Sequence, residues 1–165
     1  GASFTRGRGP AAFRFGTNPV VTASPVICFE DVFPSQTRAH VSADTDFILE
    51  LTNNGWFGDS SAHWQHCASA GLRAVENGIP LVRCANNGIT CWIDAFGGLH
   101  DVFQAADGSV YGPGVLKARV PLRPPGLGYV PTVYHQFGDV FAGTCCALAL
   151  VGILATRPRR NPQIR

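Results

Sequence analysis

The chain has 165 residues, enough for one domain with its own hydrophobic core. Hydrophobic residues make up 45% of the sequence, charged residues 15%, and the formal net charge is +2. This small charge, without a basic stripe interleaved with aromatic residues, argues against nucleic-acid binding.

The first half of the chain predicts strands joined by short loops and a helix. Residues 1–19 are rich in Gly, Pro and Arg and predict a loop or hairpin arm. "VVTASPVICFE" predicts a strand that ends near Cys28, with Pro25 at its start. A short helix follows in "SQTRAHVSA", which Ser35 can cap, and "DFILELT" (46–52) predicts the next strand.

The strongest helix prediction covers about residues 61–77. Gly78 can end this helix. Its apolar face is predicted from five residues at helical spacing: Trp64, Ala68, Gly71, Leu72 and Val75. Strands are then predicted at 79–85, 89–95 and 114–120, with "FGG" and "LHDVFQ" between the last two. This order of elements predicts an α/β fold with sheet-rich layers.

The character of the sequence changes at residue 121. Residues 121–139 are rich in Pro and Gly and predict a linker, whereas residues 140–156 are apolar and uncharged and predict a transmembrane helix. A buried helix of a soluble domain is the alternative. The arginines in 157–165 favour the membrane, with this tail cytoplasmic and the globular part on the other side.

The stretch "PVICFED" raises the question of what Cys28 does. A cysteine after an apolar strand is often a small core residue, but Glu30 and Asp31 indicate that the strand ends at a surface or cleft. As a nucleophile it would have the backbone N–H of Phe29 as an oxyanion donor. A Cys–His pair is conceivable with any of five histidines, none at a diagnostic spacing: His40, His63, His66, His100 and His135.

Four motifs in this order carry a family resemblance: "ICFE", "DFILELTNNGWFGDSSAHWQH", "LRAVENGIPLVRCANNGIT" and "IDAFGGL". Together they resemble the C-terminal half of the apolipoprotein N-acyltransferases, membrane enzymes of the nitrilase, or carbon–nitrogen hydrolase, superfamily. The resemblance covers about residues 20–156. It implies part of a nitrilase-like α-β-β-α sandwich over residues 1–120, followed by the linker, the C-terminal transmembrane helix and the basic tail.

The resemblance also implies a reaction. Cys28 would be the nucleophile of a Glu–Lys–Cys triad that takes an acyl chain from a phospholipid as a thioester. The chain would then pass to the amino group of the diacylglyceryl-cysteine of an apolipoprotein. The implied location is the bacterial inner membrane, with the catalytic domain on the periplasmic side. Neither a cofactor nor a metal is implied.

Further site residues follow from the matched motifs. Glu30 is expected to support the geometry of the site, and Phe29 stands where the family usually has tyrosine. Trp56, Asn54 and Asn86 are candidates for the substrate site. The alternatives are that Trp56 packs its own loop and that the asparagines satisfy backbone groups.

The sequence departs from the family pattern in residues that the triad requires. Residues 1–27 contain no Glu, Asp or Lys, and Lys117 comes too late to serve as the family's triad lysine. The sequence also has no methionine, so we expect a piece of a longer protein that is inactive alone. Two alternatives stay open: a soluble carbon–nitrogen hydrolase acting on a small amide, and a catalytically inactive, membrane-anchored interaction module.

Overall fold

The computed structural model describes residue 5 and residues 7–156. Its centre is a six-stranded sheet in sequence order, with β2, β3 and β4 parallel and the outer strands antiparallel. The strands are β1 Phe13–Phe15, β2 Val21–Ile27, β3 Phe47–Thr52, β4 Leu81–Ala85, β5 Cys91–Ile93 and β6 Leu99–His100. The helices are α1 Pro34–His40, α2 Ala62–Asn77, α3 Val133–Phe137 and α4 Val140–Thr156.

The core lies between the sheet and α2. Small residues of the helix, Ala70 and Ala74, pack with large aliphatic side chains of the strands. Val26, Ile48, Leu81 and Ile93 supply this apolar surface, each fully buried. The helices α1 and α2 make the crossovers between the parallel strands, as parallel pairing requires. The predicted α/β class is therefore confirmed.

The prediction for α2 is correct in its extent and wrong about which side of the helix is apolar and inward. Of the predicted apolar face only Gly71 is buried, whereas Trp64, Leu72 and Val75 are about half exposed. The inward side carries Cys67, Ala70, Gly71 and Ala74 together with four polar residues, His63, His66, Arg73 and Asn77. The helix ends where expected, at Gly78, whose φ of 64° lies in the left-handed region.

Two smaller predictions also differ from the structure. Pro25 lies inside β2, not at its start. It is tolerated there because β1 reaches only as far as Ala23, which leaves Pro25 at an edge position on that side. Residues 114–120 form no strand, because this strand-like stretch has no pairing partner among residues 7–156.

The helix α1 begins at Pro34 instead of after a capping Ser35. Phe33 is the residue at the helix N-cap, and Pro34 occupies the first turn. Proline suits this position because its missing N–H would have no intrahelical partner there.

The predicted linker, residues 121–139, contains α3 and is hydrogen-bonded to the end of α2. The hydroxyl of Tyr129 donates to the Asn77 carbonyl at 2.8 Å, and the Thr132 hydroxyl donates to the Glu76 carbonyl. His135 Nδ1 lies 2.9 Å from Asn77 Oδ1.

The C-terminal helix has the predicted bounds, and its residues are exposed along its whole length. No helix within the described residues is both long and apolar enough to cross a membrane. The predicted transmembrane span is therefore not confirmed. The predicted basic tail, 157–165, lies outside the described residues.

Candidate active site

The candidate residues meet at one edge of the sheet. The parallel strands β2, β3 and β4 end at Ile27, Thr52 and Ala85, and the next residues are Cys28, Asn53 and Asn86. Since parallel strands end on the same side, the topology brings these three segments together. Ligand sites of open α/β sheets are built at such edges.

Cys28 is the first residue of the 3₁₀ turn Cys28–Val32, which follows β2 directly. Its φ is 50°, in the left-handed region that non-glycine residues rarely adopt. The half-buried thiol donates to the carbonyl oxygen of Asn53 at 3.9 Å. The carboxylate of Glu30 accepts the backbone N–H of Ile27 at 2.7 Å. Glu30 thus links the residue before Cys28 to the turn after it.

The loops after β3 and β4 are tied to each other by asparagines. Asn86 Nδ2 donates to Asn53 Oδ1 at 2.7 Å, and Asn86 Oδ1 accepts the backbone N–H of Asn54 at 3.1 Å. Asn53 Oδ1 also accepts the N–H of Gly55 at 3.1 Å. Because these bonds fix the Asn53 segment, they also fix the carbonyl that faces the Cys28 thiol.

The remaining predicted residues differ in exposure. Trp56 is 85% exposed, whereas the side chain of Asn54 is fully buried. The ring of Phe29 is half exposed and forms an edge-to-face contact with Phe57, with ring centroids 6.1 Å apart. These two rings line a groove of about 280 Å³ with Val32, Ala62, Gln65, His66 and Ser69.

Behind the turn lies a buried polar cluster that the sequence interpretation missed as a unit. His66 Nε2 lies 2.8 Å from Asp31 Oδ1, and His66 Nδ1 lies 3.0 Å from Asn54 Oδ1. Glu50 and Arg83, register partners on β3 and β4, form a fully buried ion pair beside them. The sequence does indicate this pair, because β3 and β4 each carry a single charged residue within an otherwise apolar run.

The electrostatics of this cluster are dominated by burial. The pKa of Glu50 is raised to about 7 in all: removal from water is the main cause, Arg83 opposes it, Asp31 adds to it and His66 opposes it. Asp31, Glu50 and His66 offer three metal-ligand atoms within 4.8 Å of one another. Arg83 already supplies a cation here, since its NH1 bonds Glu50 and lies 3.6 Å from Asp31 Oδ2.

Three of the other histidines considered as partners of the cysteine are engaged elsewhere. His63 Nε2 lies 2.5 Å from the Gly58 carbonyl, and His100 Nε2 lies 2.7 Å from Asp94. His135 contacts Asn77, as described above. Among the described residues, no histidine is hydrogen-bonded to Cys28, whose thiol contacts Asn53.

The carbon–nitrogen hydrolase family model matches residues 3–163. A protein of Geobacter metallireducens named apolipoprotein N-acyltransferase is 43% identical over 136 residues, covering 80% of this chain and 24% of that protein. A protein of the same name from Bradyrhizobium diazoefficiens is 39% identical, covering 84% of this chain and 23% of its own length.

The similarity to these proteins therefore agrees with the resemblance carried by the four motifs. A third protein of that name, from Chlorobaculum tepidum, is 33% identical over 93% of this chain. The chain spans about a quarter of the length of these relatives.

Solved structures show the same fold. An amidase from Nesterenkonia sp. superposes with a TM-score of 0.55 at 20% identity, covering 88% of this chain and 50% of the amidase. A mutant of a Nesterenkonia amidase described as belonging to the nitrilase superfamily gives 0.55 at 19% identity, with 87% and 50% coverage. At such identity the likeness concerns the fold.

Proposed function

This chain belongs to the carbon–nitrogen hydrolase family, and we propose that it is the nucleophile-bearing part of an apolipoprotein N-acyltransferase. The full reaction would move a fatty acyl chain from a phospholipid to the N-terminal diacylglyceryl-cysteine of an apolipoprotein. The observation that carries the proposal is the placement of Cys28 in a strained turn at the carboxyl edge of the parallel strands.

The first half-reaction forms a thioester. The Cys28 thiolate attacks the ester carbonyl carbon of the phospholipid, an S–C bond forms, and the ester C–O bond breaks. The leaving alkoxide takes a proton and departs as a lysophospholipid. The negative oxygen of the tetrahedral intermediate needs hydrogen-bond donors, and we assign the backbone N–H of Phe29 to this role.

The second half-reaction transfers the acyl chain. The amino nitrogen of the diacylglyceryl-cysteine attacks the thioester carbonyl, a C–N bond forms, and the C–S bond breaks to regenerate the thiolate. The amine loses its proton to a base. By the family resemblance, a glutamate and a lysine outside the matched motifs serve as base and cation, and we expect the present chain alone to be inactive.

Each remaining predicted residue has a proposed part. Glu30 holds the turn through its bond to the Ile27 N–H. Asn86 fixes the segment whose carbonyl faces the thiol. The exposed Trp56 is suited to contact a lipid chain, whereas the buried Asn54 acts through its hydrogen bonds.

We also propose that α4 anchors the protein in the bacterial inner membrane, with the catalytic domain on the periplasmic side. Its 17 residues carry no charge and expose apolar side chains on all sides, including Phe141, Leu148 and Ile153. Such a surface is unfavourable in water and favourable in lipid. Carbonate washing of membranes should leave the protein bound, and should release a variant that ends at Asp139; release of both would contradict the anchor.

Acyl transfer is tested by trapping the intermediate. The chain, extended upstream by the corresponding segment of the Geobacter relative, is incubated with a phospholipid carrying a labelled acyl chain. We expect hydroxylamine-sensitive label on Cys28, lost in Cys28→Ser and kept in Cys84→Ser. Cys84 is a matched control because it is exposed and lies on β4 of the same sheet.

The same experiment separates the alternatives. Label that moves to a diacylglyceryl-cysteine peptide supports the transferase. Turnover of small amides without any use of phospholipid would indicate the soluble hydrolase. The absence of both amide turnover and label on Cys28, in every extended form, would indicate the inactive interaction module.

A further inference from the structure

His66 connects the two loops that hold the candidate nucleophile. Its side chain is 3% exposed and reaches Asp31 with Nε2 and Asn54 with Nδ1, at 2.8 and 3.0 Å. Asp31 follows Cys28 by three residues, and Asn54 adjoins Asn53, whose carbonyl faces the thiol. One side chain of α2 therefore bridges the segment after β2 and the segment after β3.

The same ring also supports the residue directly after the cysteine. The ring of Phe29 stacks on His66 with centroids 5.3 Å apart and an interplanar angle of 25°. The backbone of this segment has a further bond from α2, because Arg73 NH1 donates to the Asp31 carbonyl at 3.1 Å. Contacts from α2 thus hold the ring of Phe29, the residue assigned above as oxyanion donor, and the backbone that follows it at Asp31.

Polar groups hold the His66 ring in one orientation. Oxygen atoms of Asp31 and Glu50 lie 2.8 and 3.7 Å from Nε2, and the Arg83 guanidinium lies beside both carboxyl groups. The opposite nitrogen, Nδ1, faces Asn54 Oδ1. The ring is therefore held at both of its nitrogens, and a rotation about its side-chain bonds would break both contacts.

We propose that His66 is a positioning residue for the Cys28 nucleophile. It does not touch the reacting atoms; it sets the Cys28–Phe29 backbone relative to the Asn53 segment, and hence the thiol relative to the oxyanion donor. Acyl transfer needs the thiol and the oxyanion donor at the correct relative position, because small misplacements of reacting groups lower the reaction rate strongly. The catalytic part of this inference rests on the proposed function, whereas the geometric part does not.

The geometric part is tested on the chain itself by alkylation of its cysteines with iodoacetamide, read by peptide mass spectrometry. In His66→Gln and His66→Ala we expect the rate at Cys28, relative to the exposed Cys84, to rise by about threefold or more, because a freed turn exposes its thiol. Buried Cys67 and Cys91 report the integrity of the core. An unchanged ratio with both still protected overturns the proposal.

A milder variant keeps the test decisive if His66 proves necessary for folding. Asn54→Ala removes one of the two bonds and leaves the His66–Asp31 pair intact. We expect a smaller rise at Cys28, and no additional rise when the change is combined with His66→Gln, because both act on one bridge. Independent, additive effects in a folded protein would contradict a shared bridge.

The catalytic part is tested in the extended chain described above. In His66→Gln, thioester formation at saturating phospholipid should fall by about tenfold with KM unchanged. Faster alkylation together with slower acylation is the signature of lost positioning. If wild type forms no thioester, the proposed function fails while the alkylation result still judges the bridge; if wild type and variant acylate equally fast, the positioning role fails.

Discussion

Glu50 and Arg83 are register partners on two central parallel strands, and they form an ion pair with no exposure to solvent. The pair stands beside His66 and Asp31, at the base of the loops that carry Cys28 and Asn53. The loops of the candidate active site therefore rest on a buried cluster of ionisable side chains.

Removing the Arg83 guanidinium from this cluster should strongly destabilise the folded state. In Arg83→Met two carboxylates, Glu50 and Asp31, lose their buried partner, and we expect the free energy of unfolding to fall by about 3–5 kcal/mol. Urea denaturation of Arg83→Met measures this, with Arg119→Met at an exposed position as the control. A loss of the same small size in both variants would contradict the prediction.

Stability should depend on pH through Glu50. Burial raises the pKa of this carboxyl in the folded state from its ordinary value of 4.5 to about 7. Between these two pH values the folded state therefore binds more protons than the unfolded state, and stability falls as pH rises through this window. Denaturation curves from pH 4.5 to pH 7 should show this decline in wild type and a weaker one in Glu50→Gln. The exposed Asp59→Asn should keep the wild-type decline.

The backbone conformation of Cys28 predicts that glycine is more stable than alanine at this position. Because its φ is 50°, a side chain there is strained, and Cys28→Gly should be more stable than Cys28→Ala by about 1 kcal/mol. At Cys84, in the regular strand β4, the order should reverse, since glycine weakens a strand. Urea midpoints of the four variants decide this; alanine more stable than glycine at both positions would argue against the strained turn.

Gly88 and Gly71 offer a matched pair for a packing test. A Cβ at Gly88 would clash with the imidazole of His63, and its φ of 87° disfavours any side chain. We expect Gly88→Ala to cost about 2–3 kcal/mol. Gly71 lies inside α2, where a Cβ would meet no other described part of the chain within 4 Å, so Gly71→Ala should stabilise the helix by up to about 1 kcal/mol. Thermal unfolding of both variants is the measurement, and equal losses would refute the distinction.

Much of the fold could be predicted because it follows from local chemistry. Strand residues 46–52, the long helix and its end at Gly78 were all readable from apolar runs and a glycine that tolerates positive φ. The strand predicted at 114–120 was wrong because composition gives strand propensity, whereas a strand also needs a partner, which this stretch lacks among residues 7–156.

Some features of the candidate site were also predictable from the sequence, and others were not. The sequence by itself determined that Cys28, Asn53 and Asn86 follow strands, so their meeting at one sheet edge was predictable once the strands were parallel. The orientation of α2 was not predictable, because periodicity places Trp64 and Leu72 inward and the structure places His66 and Arg73 there. Only the tertiary structure decided this: buried Asp31 and Glu50 lie far apart in sequence, and each needs a polar partner that α2 supplies.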